Sequence, residues 1–415
     1  MQLHIAMPAM DEMEWLPHTI ESVAGQNLKD FKVWICVNQP DSWWKCEDKR
    51  EICENNARLL EWLSSRNKPD CQVIDRSGKG KGWQDRKGGV GAARKLIMDI
   101  ISANADPEDV IVSLDADTLL DTGYLAAVRQ AFEDNPDAAG YTARYYHKLS
   151  GEEKIDRAIL RYEIYMRHFL LNLMRIQSPY AFTALGSALA TTVKTYRKVG
   201  GLTPKKSAED FYFLMKLAKS GSLIYGDKSC VYPASRVSER VIFGTGQAVL
   251  NGYGIMRERY PVFETGLFDD IAETTEGFPQ LYDADIELPM SSFLRERLNN
   301  DNLWEGLRQN HSSRERFVRA CHERVDALRI FQYLRSKHDF FLSDERNLFQ
   351  SLKTYFADEV EQMASPAVRD LLAENMNSWS IDSASIEELD ELRNLLSAIE
   401  DSKRVRIKSA RFPVV

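Results

Sequence analysis

The chain has 415 residues, 44% hydrophobic and 28% charged, an ordinary globular composition with enough length for two or three domains. Its formal net charge of -8 argues against the broad basic face that nucleic-acid binding needs, though a local basic pocket for phosphates stays compatible with it. No apolar run approaches the roughly 18 residues that span a bilayer, and the stretch from Met1 to Pro8 lacks the features of a signal peptide. A cytoplasmic protein without a transmembrane segment is therefore expected. The six cysteines form no Cys-x-x-Cys pair, which points to reduced thiols rather than structural zinc.

In chain order, strand and helix signals alternate. Leu3–Met7 reads as a strand stopped by Pro8, and Glu14–Gly25 as a helix with Trp15, Leu16, Ile20 and Val23 at helical spacing. Phe31–Val37 is a second strand, a helix follows around Arg50–Ser65, and Cys71–Ile74 is a short third strand. A helix over Gly91–Ala103 leads into an apolar strand ending at Leu114. Beyond Asp121 come a helix near 122–134, a strand near 139–145 and a long amphipathic helix over 152–176. A small-residue segment, Thr183 to Ala190, precedes Gly200-Gly201 and a helix opened by Ser207-Ala208-Glu209-Asp210. Alternation of this kind predicts an α/β fold with a mostly parallel, doubly wound sheet. From about Tyr260 the character changes to charged helical segments near 290–300, 312–337, 343–363, 366–378 and 385–401, whose charges read as solvated helix faces. The expected organisation is an α/β domain over 1–255, with halves 1–120 and 121–255, and a helical region over 256–415.

Chemistry concentrates at a few places. Asp115 and Asp117 flank Ala116 just past a buried strand. In extended backbone, side chains two apart leave the same face. Ligands of open α/β sheets bind at such strand ends. Two carboxylates there suit Mg2+ or Mn2+, but aspartates at a strand end also serve as turn formers or helix caps. Lys87-Gly88-Gly89-Val90-Gly91-Ala92-Ala93-Arg94-Lys95 opens a helix, where glycines and cations favour phosphate. It is neither a Walker loop nor a dinucleotide fingerprint. Asn38, after the second strand, has an amide able to pair with a base edge, or is a turn residue. Glu209 and Asp210 at a helix start are either caps or, in a sugar-transfer site, the group that removes an acceptor proton.

The ordered set Ile5-Ala6-Met7-Pro8-Ala9-Met10-Asp11-Glu12, Gly91-Ala92-Ala93-Arg94-Lys95, Asp115-Ala116-Asp117, Val199-Gly200-Gly201 and Glu209-Asp210 resembles the family 2 glycosyltransferases. The resemblance covers about residues 1–255. It implies the GT-A fold and transfer of a sugar from a nucleotide-diphosphate donor, a UDP- or GDP-sugar, to a hydroxyl acceptor, usually with inversion. It also implies that Pro8, Ala9, Glu12 and Asn38 line the nucleoside pocket, with Lys87, Gly91 and Arg94 on the phosphate side. Asp115 and Asp117 would then hold Mn2+ or Mg2+ on the diphosphate, with Asp210 as general base and Glu209 beside it. Departures are Asn38 where the family has an acidic residue, Lys95 where it has Asn, and the absence of Gln-x-x-Arg-Trp, which disfavours processive synthesis. No His lies between His168 and His311 to supply a further metal ligand.

Tyr232 to Gln247 is dense in hydroxyls, cations and glycines and reads either as a surface loop or as a lid. In the lid reading Arg236 or Arg240 stabilises the departing diphosphate. Three alternatives accompany the inverting, metal-dependent reading: a retaining transferase on the same fold, a sugar nucleotidyltransferase, and a catalytically degenerate scaffold. The helical region is read as an oligomer interface, a partner-docking surface or a membrane-surface contact.

Overall fold

A computed structural model describes residues 1–65, 71–84, 87–205, 207–236, 260–373 and 379–410. Two compact units emerge. One holds the described residues of Met1–Gly151, Thr183–Gln247 and Ile407–Ser409; the other holds those of Glu152–Phe182, Ala248–Arg406 and Ala410–Val415.

The first unit is built on β1 (Leu3–Ala9), α1 (Leu16–Ala24), β2 (Phe31–Asn38), α2 (Arg50–Ser64), β3 (Cys71–Arg76), α3 (Val90–Asn104), β4 (Val110–Ser113), β5 (Thr118–Leu120), α4 (Tyr124–Asp134) and β6 (Gly140–Tyr145). The sheet runs β3-β2-β1-β4 and continues through β7 (Leu189–Thr192), β6, β8 (Leu223–Pro233) and β5. Its first four strands are parallel. The pairs β4–β7, β6–β7 and β5–β8 are antiparallel, whereas β6–β8 is parallel. The α/β class expected from the sequence is present, with its parallel part on the first half and a mixed part on the second.

Strand order fixes where a ligand can sit. From β1 the chain winds outward to β2 and β3, then returns to place β4 on the other side of β1. That reversal opens a crevice beyond the carboxyl ends of β1 and β4. Those ends lead into Met10-Asp11-Glu12 and Asp115-Ala116-Asp117 respectively.

Three local differences from the sequence reading have physical causes. β1 does not stop at Pro8 but runs to Ala9, pairing Pro8 with Cys36 and Ala9 with Val37. Its pairing with β4 ends at Ala6↔Ser113, so Pro8 has one strand neighbour and its missing N–H leaves no ladder gap on the β4 side. β5, β7 and β8 carry no clear strand signal, because their hydrophobic character merges with small and polar residues. The Asp115-Ala116-Asp117 segment is a turn between β4 and β5 rather than extended chain, closed by Thr118 N donating to Asp115 O at 3.3 Å.

The remaining first-unit helices are α6 (Val193–Lys198) and α7 (Glu209–Ser220). The long helix of the 152–176 segment, α5, spans Glu153–Arg175 and belongs to the second unit. There it packs in an apolar core through Leu160, Ile164 and Leu171, together with Leu348, Phe349, Leu392 and Ile399. The segments expected at 312–337 and 343–363 each divide in two: Arg314–Arg324 and Ala327–Lys337, then Asp344–Tyr355 and Ala357–Met363. Asp326 causes the first break, since its side chain accepts from Arg329 N and caps the new helix. Not all charges of the helical region are solvated. Arg167 is buried between Glu163 (2.8 Å) and Glu400 (2.6 Å), and buried Arg393 and Arg404 complete the network. Each of these charges has a hydrogen-bonded partner, the condition for keeping ions out of water.

Candidate active site

Arg94 organises the crevice. It lies one turn into α3, which starts at Val90 after Gly89, whose φ of 110° suits glycine. Its side chain is buried, 2% exposed. Nη2 donates to Asp115 Oδ1 at 2.6 Å and Nε to Glu209 Oε1 at 3.2 Å. Nη1 donates to Ser113 Oγ at 2.5 Å and to Gly186 O at 3.2 Å. One guanidinium thereby ties the end of β4, the small-residue segment and the start of α7 together. Burial opposes its charge, but Asp115 and Glu209 more than offset this and hold its pKa above the usual arginine range.

The sequence reading assigned Arg94 to the donor phosphates. The structure places it beneath the carboxylates, with its donors spent on the protein. Gly91 also has a packing role. A Cβ there would collide with Lys205 O and approach Lys205 N within 2.9 Å, so its lack of a side chain serves close packing of α3 on the chain before α7. Neither residue is thereby shown to face a phosphate. Lys87, by contrast, is exposed, and Lys95 pairs with Asp99 at 2.8 Å.

Asp117 points to a second arginine. Arg236 Nε and Nη2 donate to Asp117 Oδ2 at 2.8 and 2.6 Å, and Nη2 also reaches Glu12 Oε1 at 2.7 Å. The guanidinium lies 5.4 Å from the centre of the Trp15 ring, close enough for a cation–π contact. Backbone bonds fix the turn itself: Thr19 Oγ1 donates to Ala116 O and Ala234 N to Asp117 O. The two aspartates thus stay in one turn, but each is engaged by a different arginine.

The start of α7 supplies the other half. Ala208, its N-cap, has φ 60° and ψ 25°, a left-handed conformation costly for a residue with a Cβ. Glu209 is buried against Arg94, while Asp210 is partly exposed and accepts from Phe211 N at 2.8 Å. The Asp210 carboxyl is pushed up to about 7, first by burial and next by the neighbouring Glu209, with Arg94 pulling the other way.

Pro8 and Ala9 are buried at the end of β1. Asn38 is buried and committed at both ends of its amide: Nδ2 donates to Ala9 O at 3.0 Å and Oδ1 accepts from Trp83 Nε1 at 3.1 Å. It joins β1 and β2 rather than presenting a vacant base-pairing edge. Arg240 and Gly244–Gly246 lie outside the described residues.

Sequence reasoning missed Ser113, Gly186 and Trp15. Gly186 carried a signal, as the one glycine of the Thr183–Ala190 segment. A Cβ there would sit 2.6 Å from Arg94 Nη2 and 3.2 Å from Asp115 Oδ2. Gly186→Ala is therefore expected to lower stability by about 1–3 kcal/mol, because the pinned guanidinium has nowhere to move. A denaturant titration checks this; an unchanged midpoint would mean the arginine is free to shift.

Residues 110–251 match the family described as glycosyl transferase family group 2. No curated protein matches. Among solved structures, the chain is similar to S. aureus TarS 1–349 in complex with UDP-GlcNAc, at 15% identity and TM-score 0.41, covering 81% of this chain and 93% of that one. The same TarS fragment with UDP gives 15% identity and TM-score 0.40 over 81% and 92% of the two chains. GalNAc-T7 with UDP, GalNAc and Mn2+ gives 13% identity and TM-score 0.36 over 73% and 55%. The segment that matches this family, about a third of the chain, spans β4, the Asp115–Asp117 turn and the Glu209-Asp210 helix start.

Proposed function

We propose that the chain transfers a sugar from a nucleotide-diphosphate sugar to a hydroxyl acceptor by direct, inverting, non-processive displacement. One observation carries the reading: Arg94 binds Asp115 and Glu209 at once, which brings the two acidic pairs to a single crevice beside a carboxyl, Asp210, poised near neutral pH. A general base works best with a pKa near the working pH. Asp210 accepts the proton of the attacking hydroxyl. Glu209, fixed by Arg94, raises the proton affinity of Asp210.

The donor set at the turn suits a hard divalent cation. Each arginine takes one oxygen of its aspartate, which leaves Asp115 Oδ2 and Asp117 Oδ1 as oxygen ligands. Among the described residues no group of three His, Cys, Asp or Glu is arranged to hold a metal. Mn2+ or Mg2+ would rely on these two aspartates, with water and the diphosphate completing its shell. When bound, such an ion neutralises the leaving diphosphate. Pro8, Ala9 and Glu12 border the proposed nucleoside side of the crevice, and exposed Lys87 adds positive charge on the phosphate side.

Placement in the cytoplasm is part of this proposal. Cys36, Cys46, Cys53, Cys71, Cys230 and Cys321 are all free thiols. No helix among the described residues is long and apolar enough to cross a membrane.

A thermal-shift screen of UDP-, GDP-, ADP- and CDP-sugars, each with and without Mn2+, tests the reading. One nucleotide class is expected to raise the melting temperature, and more so with Mn2+. EDTA is expected to abolish both that increment and turnover. Full activity after chelation would remove the metal, and no shift with any donor would remove the transferase reading.

A further inference from the structure

Among the described residues, Arg236 is the one guanidinium that bridges two acidic side chains of the crevice from the β8 side. It meets Asp117 at 2.6 Å and Glu12 at 2.7 Å, with these side chains 20% and 10% exposed. Its charge is stabilised there: burial opposes ionisation, but Asp117 and Glu12 raise its pKa overall. Glu12 follows β1 and Asp117 follows β4, so the arginine crosses the crevice between the two strand ends. A cation therefore already sits on the aspartate proposed to receive the metal.

We infer that Arg236 is a resident counter-ion that competes with a divalent metal for Asp117 and releases it to the metal when a nucleotide diphosphate arrives. The inference rests on the metal-and-diphosphate reading above. The charge arithmetic supports it. Glu12, Asp115, Asp117 and Glu209 bring four negative charges, and Arg94 and Arg236 bring two positive ones, so Arg236 lowers the net from three negative charges to two. Arg236 thus weakens the attraction of the crevice for a free divalent ion. A diphosphate offers the guanidinium a bidentate, more highly charged partner than a carboxylate. As Arg236 turns to the phosphates, Asp117 regains its charge for the metal. Metal and nucleotide then strengthen each other's binding, and by linkage each does so by the same factor. The chain would disfavour metal without donor, and so avoid a metal-loaded site open to water.

The test measures Mn2+ binding directly, by the free-ion electron paramagnetic resonance signal, in wild type, Arg236→Gln and Arg236→Lys. Without nucleotide, Arg236→Gln is expected to bind Mn2+ roughly tenfold or more tightly than wild type, because a positive charge beside the ligand is gone. Arg236→Lys keeps the charge and is expected to stay near wild type. Saturating UDP or GDP is expected to tighten Mn2+ binding strongly in wild type and far less in Arg236→Gln. Equal or weaker Mn2+ binding by Arg236→Gln overturns the competition. So does an Arg236→Lys variant that tightens as much as the glutamine one. The Mn2+-alone arm decides this inference by itself. If it behaves as expected while neither nucleotide binds wild type, the donor reading fails and the competition for Asp117 stands.

Discussion

Replacing Arg94 by Met is expected to cost about 3–5 kcal/mol of stability and to remove activity, the largest structural effect at this site. Methionine fills a similar volume without charge. It leaves Asp115 and Glu209 facing each other's crevice with no cation between them, and it strands Ser113 Oγ and Gly186 O without the donor that now reaches them. Carboxylates left in that position hold protons more tightly than in the unfolded chain. Their folded pKa values lie above the unfolded ones, so the variant's deficit is smallest at low pH and grows as pH rises. Chemical denaturation of wild type and Arg94→Met at pH 5 and pH 8 reads this out, with the wider gap expected at pH 8. Arg94→Lys separates charge from geometry. One ammonium cannot serve Asp115, Glu209, Ser113 and Gly186 together, so it is expected to recover part of the stability and little of the activity. A methionine variant as stable as wild type at pH 8 would show that the two carboxylates do not depend on this guanidinium.

Much of this architecture was legible in the sequence, for reasons that can be stated. Apolar runs such as Val110–Ser113 and Phe31–Val37 are buried on both faces, so they read as strands without alternation. The helix at Glu153–Arg175 was visible from its apolar stripe. Its fellowship with the second unit was not, since the Glu163–Arg393 and Arg167–Glu400 pairs join positions more than 200 residues apart. The acidic pairs stood out because carboxylates at a strand end and at a helix start are unusual together. Which cation faces each of them is a tertiary fact. Arg94 looked like a phosphate ligand from its place after a glycine-rich turn, yet its depth in α3 turns it inward to Asp115 and Glu209. Arg236 looked like part of a loop, yet it reaches back across the crevice to Asp117 and Glu12. The turn at Ala116 was likewise hidden. The same Asp-x-Asp spacing serves extended and turned backbone, and only the pairing of β5 with β8 decides between them.

Asp210→Asn is expected to lower turnover by roughly 10²–10⁴-fold, the usual contribution of a positioned general base, while leaving donor binding nearly intact. The raised carboxyl adds a pH signature. In wild type the base is active only when deprotonated, so kcat/KM is expected to rise with pH and level off above about 7. The asparagine variant should lack that limb. Stability moves in the opposite direction. Folded Asp210 binds its proton up to about pH 7, whereas the unfolded chain gives it up near the ordinary aspartate value of 3.8. The stability that comes with the protonated form is therefore present below pH 4 and is lost as pH climbs to 7. Asparagine mimics the neutral acid, so the variant should match wild type near pH 4 and melt at a higher temperature by pH 8. An enzyme that loses activity and gains stability over the same pH interval is not misfolded. It has lost a strained charge kept for chemistry, a known exchange of stability for function at active sites. Near-normal turnover in Asp210→Asn would remove Asp210 from the base role. A variant that melted lower than wild type at pH 8 would show that the ionised carboxylate stabilises the helix start instead.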